Sequence, residues 1–323
     1  MGNSVDITVS IASYNTRDLL RACLASLRAR HEAGEATLQV IVADNGSTDG
    51  SLEMVAEEFP EVVGFYTGGN LGYGRANNMA FEQARGRYFL ILNPDTEVPP
   101  GALATLRDFL EANPTAGGAG PQLFYPDGRL QTSYGTDPHF FGIFCEQVFL
   151  SRLVPGADSA EAQTVAATAS EPREVEQICG AAQFLRAEAY RGVDGFDPAY
   201  FMYHEDVDLN IRLRRVGWKL FFVPSASIVH HLGASSSRDW QTRARMVSAL
   251  NHSRYYSFSQ HEGRARGAAL KGLFIAGAAL RLAGWSLCAL ARPAAREKVK
   301  LFRSVLRNAV RMKPTSPSGT ERD

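Results

Sequence analysis

Four loops of this sequence carry acid, amide and glycine residues at the predicted ends of strands. They contain Ser13-Tyr14-Asn15, residues 44–49 (DNGSTD), residues 68–78 (GGNLGYGRANN) and residues 93–97 (NPDTE). Ligands of parallel α/β sheets bind beyond the carboxyl ends of the strands. Asn, Asp and Gly in a single loop can simply make a turn, but four such loops at one sheet edge predict a binding site for a polar ligand.

Two common ligands of such loops do not match the residues. Residues 44–50 do not form an EF-hand calcium loop, because Gly46 and Thr48 stand at ligand positions of that motif. The glycines at 72 and 74 nearly match the dinucleotide fingerprint, but Asn77 replaces its third glycine and no acidic residue follows at a strand end about 20 positions later. Binding of NAD is therefore not expected.

A few carboxylate and imidazole side chains are candidates for the chemistry itself. Asp95 follows a predicted buried strand, where a carboxylate can hold a divalent cation against a diphosphate. Glu205 and Asp206 begin a predicted helix, and His230 begins a His-x-x-Gly-x-Ser pattern. On spacing alone, the acidic pair is explained as well by the helix dipole and the histidine by a structural role.

The elements that must position these residues follow from apolar periodicity. Short apolar runs at residues 5–12, 38–43 and 88–92 predict strands buried on both faces, and helical patterns lie between them. Strand and helix alternate from residue 5 to about 112, which predicts an α/β fold with a mostly parallel sheet. Further along, we expect a mobile loop at about 134–177, a helix at 205–216 and a strand at 218–223.

The predicted domain organisation has three parts. We expect an α/β domain over residues 1–262, a basic helical unit over 263–313 and a disordered tail over 314–323. Within the α/β domain, the alternating half covers residues 5–112 and a second half covers residues 113–240. Pro224 is expected to break the strand that begins near Trp218.

Taken together, these motifs resemble those of family 2 inverting glycosyltransferases of the GT-A fold, a Rossmann-like sheet flanked by helices. The chain is most similar to the rhamnosyltransferase-like subgroup of bacterial cell-surface polysaccharide assembly, over residues 5 to about 240. The matching motifs are SYN at 13–15, DNGSTDGS at 44–51, GGNLGYGRANN at 68–78, NPDTEV at 93–98, the long run from Gly180 to Leu209, and HHLGAS at 230–235.

The resemblance implies that residues 5–112 bind the nucleotide sugar and that residues 113–240 form the acceptor and catalytic half. It also assigns binding roles to individual residues. Asp95 would be a ligand of Mg²⁺ or Mn²⁺ together with His230, and Asn93 stands where the family has the first Asp of its Asp-x-Asp motif. Glycines in such a loop let the backbone approach a phosphate. The residues implied in binding the nucleotide sugar are Ser13, Tyr14, Asn15, Asp44, Asn70, Gly72, Gly74, Asn77, Asn93 and Asp95.

The resemblance also assigns the catalytic step. Asp206 would be the general base that takes the proton of the acceptor hydroxyl, and Glu205 would be its acidic neighbour. Asp197, His204 and Trp240 are candidate contacts to the acceptor, although Trp240 is explained as well by a buried packing role. Side chains alternate along a strand, so only one of His230 and His231 is expected to reach the metal.

The function implied by the resemblance is metal-dependent transfer of a sugar from a nucleoside-diphosphate sugar to a glycan or lipid-linked glycan. The leading donor is dTDP-L-rhamnose. UDP-galactofuranose, UDP-glucose and UDP-N-acetylhexosamine remain open, and the acceptor and linkage are not specified. An alternative of another class is a catalytically silent membrane scaffold that keeps the fold.

The charge distribution adds a possible membrane partner. Residues 264–313 contain twelve Lys or Arg and one acidic residue, so they carry +11 while the rest of the chain carries −11. Residues 272–291 have the length of a span but contain Arg281, which leaves a span, an interfacial helix and a packing helix all open. Residues 296–311 have a basic and an apolar face, which predicts a helix bound to an anionic membrane. The alternatives are that these helices pack on the catalytic domain or form an interface between copies of the chain. Nucleic acid is not expected.

The cysteines and the N-terminus predict the compartment. The four cysteines lie far apart without a Cys-x-x-Cys pair, which argues against a zinc or redox site. The N-terminal residues lack the basic and apolar segments of a secretory signal. We therefore expect a cytoplasmic protein that is peripherally associated with the inner face of the cell membrane.

Overall fold

The computed structural model describes residues 5–148, 170–231 and 239–313. The strands of these residues are β1 (Ile7–Ser13), β2 (Leu38–Asp44), β3 (Val63–Tyr66), β4 (Tyr88–Leu92), β5 (Thr96–Glu97), β6 (Ala116–Phe124), β7 (Leu130–Gln131), β8 (Tyr134–Gly135), β9 (Arg173–Val175), β10 (Gln177–Ile178), β11 (Ala182–Arg186) and β12 (Lys219–His230).

The helices of the same residues are α1 (Arg17–Glu32), α2 (Ser51–Glu58), α3 (Tyr73–Phe81), α4 (Ala102–Ala112), α5 (Phe140–Gln147), α6 (Ala187–Gly192), α7 (Glu205–Arg215), α8 (Trp240–His261), α9 (Arg264–Ala291) and α10 (Arg296–Arg311). The chain forms two compact units. The first contains the strands, α1–α4, α6 and α7 from Asp206 onward, and the second contains Ala199–Glu205, α5 and α8–α10.

The main sheet of the first unit is mixed and mostly parallel. Its strand order is β3-β2-β1-β4-β11-β6-β12-β5, with β7 paired to β6 and β9 paired to β12. The strands β1 to β4 are mutually parallel, as predicted, and β11 is inserted antiparallel between β4 and β6. The carboxyl ends of β1, β2 and β4 therefore lie at one edge, where the polar loops begin.

The two faces of this sheet are both buried, because side chains alternate along each strand. In β4, Leu90 and Leu92 pack in the same core as the leucines of α1. Phe89 and Ile91 point to the opposite face and pack with Leu209 of α7. The continuous apolar runs in the sequence are thus explained by helices on both sides of the sheet.

Two predictions about the middle of the chain are wrong. Residues 134–177 are not a loop throughout, since β8, α5, β9 and β10 lie at its two ends; Ile143 and Val175 are buried there and stabilise these elements. Residues 149–169 lie outside the described residues. Pro224 does not end its strand either, because β12 continues to His230 through an irregularity in its pairing with β6 between Val223 and Ser227.

The second unit is a helical assembly with its own apolar clusters. Tyr255 and Phe258 of α8 pack with Ile143 of α5 and with Leu270 and Phe274 of α9. A predicted domain boundary at residue 262 placed α8 in the catalytic domain, whereas α8 packs with α9 and α10. The reason is that α8 buries its apolar residues against these helices. The predicted tail, residues 314–323, lies outside the described residues.

The apolar face of α10 is covered by protein, which corrects the prediction that this face binds a membrane. Leu301, Val305 and Ala309 are buried, and Phe302 and Leu306 are partly buried against the same helices. Of the apolar residues on this helix, Val310 remains exposed. The basic residues of α10 that are exposed are Arg296, Lys300, Arg303, Arg307 and Arg311.

Within the described residues, α9 is the one helix that is long and apolar enough to cross a membrane, judged by length and composition. Only 17% of its most apolar window is buried in the protein. A core helix of a soluble protein would be mostly buried, so this helix exposes an unusual amount of apolar surface.

Candidate active site

Asp44 ends β2 and is nearly enclosed, with 2% of its surface exposed. Its Oδ1 accepts hydrogen bonds from the backbone N–H groups of Gly46 (3.0 Å) and Ser47 (2.9 Å). Its Oδ2 is buried and has no hydrogen-bond partner among the described residues. A buried carboxylate oxygen without a donor is unfavourable, so this atom is suited to receive a donor from a ligand. Tyr14, in the adjacent loop after β1, is 50% exposed.

Asn15 holds the loop after β1 against the loop after β2. Its backbone N–H donates to Oγ of Ser47 at 2.9 Å, and its Oδ1 accepts from the backbone N–H of Thr48 at 2.8 Å. Its φ of 53° lies in the left-handed region, which Asn tolerates better than most residues. Ser13 is buried and shares a hydrogen bond with Thr16. In this structure both Asn15 and Ser13 stabilise the loops, while Tyr14 is the accessible side chain of the motif.

Asn45, which the sequence analysis did not select, connects the loop after β2 to the loop before α3. Its Nδ2 donates to the carbonyl oxygen of Gly72 at 3.2 Å, and its Oδ1 accepts from Oγ1 of Thr67 at 3.1 Å. Asn70 is exposed, and its Oδ1 accepts from the N–H of Gly72 at 3.3 Å. The φ of Gly72 is 90°, a conformation that a residue with Cβ rarely adopts. The loop is therefore held in shape while Asn70 remains accessible.

Asn77 and Gly74, which were predicted to contact the nucleotide sugar, are packed inside the protein. Asn77 is fully buried; its Oδ1 accepts from Oγ of Ser10 at 2.6 Å, and its Nδ2 donates to the carbonyl oxygen of Tyr73. Gly74 packs against Phe196, whose Cβ would lie 2.9 Å from a Cβ at position 74. Both residues help to position α3 against the sheet, and their contact with a nucleotide sugar stays a prediction.

Asp95 and His230 form the candidate metal site. Oδ1 of Asp95 lies 3.2 Å from Nε2 of His230, and the two side chains are 16% and 5% exposed. Gln131 orients the imidazole: its Nε2 donates to the carbonyl oxygen of His230 at 3.4 Å, so its Oε1 accepts from Nδ1 of that ring at 2.6 Å. With the proton on Nδ1, Nε2 presents a lone pair toward the carboxylate. Two acceptors that face each other in this way are suited to share a cation.

Neighbouring groups complete this part of the site. Nδ2 of Asn93 lies 3.4 Å from Nε2 of His230. His231 points elsewhere, with its Nε2 2.6 Å from Oε1 of Glu97, as alternation along the strand predicts. The described residues contain no group of three or more His, Cys, Asp or Glu that could hold a metal, so a cation here would need further ligands from a substrate or water. Gly233 and Ser235 of the His-x-x-Gly-x-Ser pattern lie outside the described residues.

Asp206 is held by backbone groups in a defined orientation. Its Oδ2 accepts from the N–H of Gly180 at 3.1 Å, and its Oδ1 accepts from the N–H of Val207 at 2.9 Å. A Cβ at position 180 would lie 2.6 Å from this Oδ2. Only glycine therefore fits beside the carboxylate.

The turn at residues 179–181 connects Asp206 to the other parts of the site. The carbonyl oxygen of Gly180 accepts from the hydroxyl of Tyr73 at 3.0 Å, and the carbonyl oxygen of Ala181 accepts from the N–H of Asn93 at 3.0 Å. Tyr73 begins α3, and Asn93 begins the loop that carries Asp95. One short turn thus links the candidate base to the glycine-rich loop and to the candidate metal loop.

The remaining predicted site residues are Glu205, His204, Asp197 and Trp240. Glu205 and His204 belong to the second unit and are 6% and 3% exposed. Tyr203 and His204 have φ values of 66° and 70°, and non-glycine residues in this region occur preferentially at functional sites. Asp197 is partly exposed in the first unit. Trp240 packs with Ala244 and Leu301 of the second unit, and Lys300 lies 6.0 Å from its ring centroid.

The sequence of this chain is similar to those of known proteins. Two family models match it: Glycosyl transferase family 2 over residues 8–160 and Glycosyl transferase family group 2 over residues 88–290. The chain belongs to the family 2 glycosyltransferases, and it is therefore a glycosyltransferase.

Curated relatives of this chain include rhamnosyltransferases. The N-acetylglucosaminyl-diphospho-decaprenol L-rhamnosyltransferase of Mycobacterium tuberculosis is 33% identical over 270 residues, which cover 80% of this chain and 85% of that protein. The rhamnosyltransferase WbbL of Escherichia coli is 25% identical over 232 residues, covering 70% of this chain and 83% of that protein. The predicted rhamnosyltransferase-like similarity is confirmed.

Solved structures confirm the predicted GT-A fold. GalNAc-T7 with UDP, GalNAc and Mn²⁺ has a TM-score of 0.55 at 16% identity; the match covers 80% of this chain and 51% of that chain, so this chain spans about half of GalNAc-T7. Mannosyltransferase PcManGT from Pyrobaculum calidifontis, in complex with GDP-Man and Mn²⁺, has a TM-score of 0.50 at 19% identity and covers 96% of this chain and 87% of that chain.

Sequence reasoning missed the residues that support the site. Tyr73 and Asn45 lie inside the recognised motifs, and Gly180 is the first residue of the long matching run that contains Asp206. These three could have been selected by their neighbours. Gln131 lies far from every motif, and no sequence signal relates it to His230.

Proposed function

We propose that this chain transfers L-rhamnose from dTDP-L-rhamnose to a polyprenyl-diphosphate-linked glycan, with inversion at the anomeric carbon and with a divalent cation. The observation that carries this proposal is the 33% identity, over 85% of its length, to an enzyme named for transferring rhamnose to N-acetylglucosaminyl-diphospho-decaprenol. We place the reaction at the cytoplasmic face of the membrane, where such lipid-linked acceptors are assembled.

The nucleotide would be bound by the loops after β1 and β2. Asp44 offers a buried carboxylate oxygen that lacks a donor among the described residues, and a base imide or a ribose hydroxyl can supply that donor. The exposed ring of Tyr14 is available to stack on the base. Asn70 and the loop around Gly72 would contact the diphosphate.

The cation would be held by Asp95 and His230, with Asn93 beside them. The pairing of a carboxylate oxygen with an imidazole lone pair at 3.2 Å fits such an ion, and Gln131 fixes the tautomer that this requires. When bound, a divalent ion neutralises charge on the leaving diphosphate. Mg²⁺ and Mn²⁺ both suit this donor set.

Asp206 would act on the acceptor. The acceptor hydroxyl attacks the anomeric carbon from the side opposite the diphosphate; as the new C–O bond forms and the bond to the diphosphate oxygen breaks, the hydroxyl proton passes to a carboxylate oxygen of Asp206. The backbone N–H groups of Gly180 and Val207 orient this carboxylate before the reaction.

The test is transfer by the purified enzyme to a polyprenyl-diphosphate N-acetylglucosamine acceptor with each of four donors: dTDP-L-rhamnose, UDP-galactofuranose, UDP-glucose and UDP-N-acetylglucosamine. We expect release of dTDP and a rhamnosylated product whose anomeric configuration, determined by NMR, is opposite to that of the donor. Faster transfer from another donor would contradict the rhamnose assignment. Donor binding without turnover for any donor would favour the silent scaffold, and retention would contradict the role of Asp206.

A further inference from the structure

The last three turns of α9, residues 282–291 (LAGWSLCALA), project apolar side chains into solvent. We call this segment the α9 tip. Leu287 is 70% exposed and Leu290 is 85% exposed, while Trp285 is 36% exposed. Exposed apolar area of this density is unfavourable in water. The tip contains no charged residue, so nothing in its own composition offsets that cost.

The first part of α9 buries large side chains, whereas the described residues leave most of the tip exposed. Leu270, Phe274 and Ala278 are buried in the second unit. Gly277 fits closely against Gln147 of α5, since a Cβ there would lie 2.6 Å from Oε1 of that glutamine. The last buried residue of this helix is Ala278; beyond it, Leu282 and Ala289 are partly covered and the other residues of the tip are exposed.

Arg281 marks the inner end of the tip and is fixed to protein. Its guanidinium donates to Oε1 of Gln147 and to the carbonyl oxygen of Glu146, each at 2.9 Å. A charged arginine makes it unfavourable for residues 272–291 to span a membrane. Because its guanidinium is hydrogen-bonded to protein, this charge stays with the folded unit. The uncharged segment that remains is about 15 Å long at 1.5 Å per residue, about half of a hydrocarbon core of roughly 30 Å.

Basic side chains follow the tip directly. Arg292 is exposed immediately after it, and the exposed basic residues of α10 come next in the chain. Among residues 264–313, Glu297 is the single acidic residue. An apolar segment next to a cluster of exposed cations matches a membrane in which anionic headgroups cover a hydrocarbon layer.

We propose that the α9 tip inserts into one leaflet of an anionic membrane, and that Arg292 and the exposed basic residues at the start of α10, Arg296 and Lys300, bind the lipid phosphates around it. The apolar contact comes from α9, because the apolar face of α10 is already covered by α8 and α9. This inference goes beyond the proposed function and does not depend on which sugar is transferred. A second copy of the chain is the less suitable occupant, because a two-fold contact at the tips would bring two sets of exposed arginines together.

Insertion is measured through the tip's own residues. Trp285 should be quenched by brominated lipids in phosphatidylglycerol vesicles, and Trp285→Phe should remove the quenched part of the emission, since Trp218 and Trp240 are partly buried elsewhere. An environment-sensitive dye on the exposed Cys288 should shift to shorter wavelength with the same vesicles. Unchanged tryptophan and dye emission in the presence of these vesicles would overturn the proposal.

Point variants test whether vesicle binding depends on the tip or on any exposed apolar residue. Leu287→Asp and Leu290→Asp should each reduce partitioning into phosphatidylglycerol vesicles by about tenfold or more, because each removes apolar contact and adds a charge to the lipid phase. The matched control is Val216→Asp, which changes an apolar residue of similar exposure, 60%, in the first unit. Equal losses in the control and tip variants would overturn the proposal.

Charge variants test the second component. Arg292→Glu with Arg296→Glu should weaken binding to phosphatidylglycerol vesicles at low salt, while the vesicle-bound fraction keeps the Trp285 quenching. Light scattering without vesicles tests whether the tip instead contacts a second copy of the chain. If Leu290→Asp converts a dimer to a monomer and leaves vesicle binding unchanged, the tip is an interface between copies. Transfer to a short-chain, water-soluble acceptor should be unaffected by the tip variants, so a failed membrane proposal and a failed rhamnose assignment give different results.

Discussion

At the scale of single residues, the site depends on side chains whose polar atoms are already oriented. Asp206 receives two backbone N–H groups, and His230 is oriented by Gln131. Preorganisation of this kind reduces the reorganisation needed during reaction. Substitutions that keep shape but remove one chemical property are therefore the most informative.

Asp206→Asn keeps the shape of the side chain but removes the carboxylate that we propose as the proton acceptor. We expect turnover to fall by roughly 10²–10⁴-fold, the usual contribution of a general base, with nucleotide affinity little changed. Initial rates and calorimetry with dTDP measure the two effects. Asp127→Asn, at an exposed carboxylate paired with Arg129, is the control. Turnover close to wild type in Asp206→Asn would remove this residue from the mechanism.

His230→Ala and His231→Ala form a matched pair, because only His230 lies beside Asp95 while His231 contacts Glu97. We expect His230→Ala to weaken the Mn²⁺-dependent part of dTDP binding, as we expect for Asp95→Ala, and His231→Ala to have a much smaller effect. Calorimetry with and without Mn²⁺ makes the measurement. If His231→Ala has the larger effect, the cation is bound at Glu97 instead.

Thiol reactivity should single out Cys288. Burial raises the pKa of Cys23 to about 12 and the pKa of Cys179 to about 11, and the reactive species is the thiolate. Cys145 is buried, whereas Cys288 is exposed. At pH 8 we expect one fast equivalent with a disulfide reagent in the native protein and four after denaturation. Fast reaction of a second cysteine would show that the core around Cys23 or Cys179 opens readily.

At the scale of elements, the turn at residues 179–181 is the structural centre of the candidate site. It joins the start of α3, the loop after β4 and the start of α7 through hydrogen bonds to Tyr73, Asn93 and Asp206. The position of the base relative to the glycine-rich loop is therefore set by backbone geometry, because Gly180 uses both its N–H and its carbonyl oxygen.

Gly180→Ala tests this arrangement. The added Cβ would lie 2.6 Å from Oδ2 of Asp206, so the carboxylate must move, and we expect a loss of turnover of about 10²-fold, the cost of a displacement near 1 Å. Gly192→Ala, where a Cβ meets nothing within 4 Å, should be close to wild type. Rates and unfolding midpoints of both variants should be measured. A Gly180→Ala enzyme with normal rates would mean that the turn does not position the base.

At the scale of the whole molecule, the C-terminal helices belong to a packed unit. Residues of α9 and α10 complete apolar clusters with Tyr255 and Phe258 of α8 and Ile143 of α5. Deleting residues 264–323 would expose these residues to water, at a cost of roughly 1.5–3 kcal/mol for each fully buried large side chain.

We therefore expect the truncated protein, ending at Gly263, to aggregate or to unfold at a markedly lower temperature, whether or not vesicles are present. A protein ending at Lys313 is the control and should keep the wild-type unfolding midpoint. Thermal unfolding followed by light scattering makes the comparison. A stable, monomeric truncated chain would show that α9 and α10 contribute little to the second unit.

The sequence by itself determined the α/β class, the mostly parallel order of β1 to β4, and the motifs that mark this chain as a family 2 glycosyltransferase. These properties are local: periodicity selects the elements, and the polar loop residues follow strands that must end at one sheet edge. That only one of His230 and His231 would face Asp95 was also predictable, because alternation along a strand is a local rule; the choice of His230 came from the family motif.

Only the tertiary structure decided which motif residues are accessible and what the C-terminal helices cover. Asn77 and Gly74 belong to the glycine-rich motif but are used in packing, since burial depends on the neighbours that α3 meets. Gln131 became visible through its pairing with His230 across 99 positions of sequence. The sequence predicts apolar surface both on α10 and on the α9 tip. Helices α8 and α9 cover the apolar face of α10, whereas Leu290 of the tip is 85% exposed. Periodicity specifies that an apolar face exists, and long-range packing determines what it contacts.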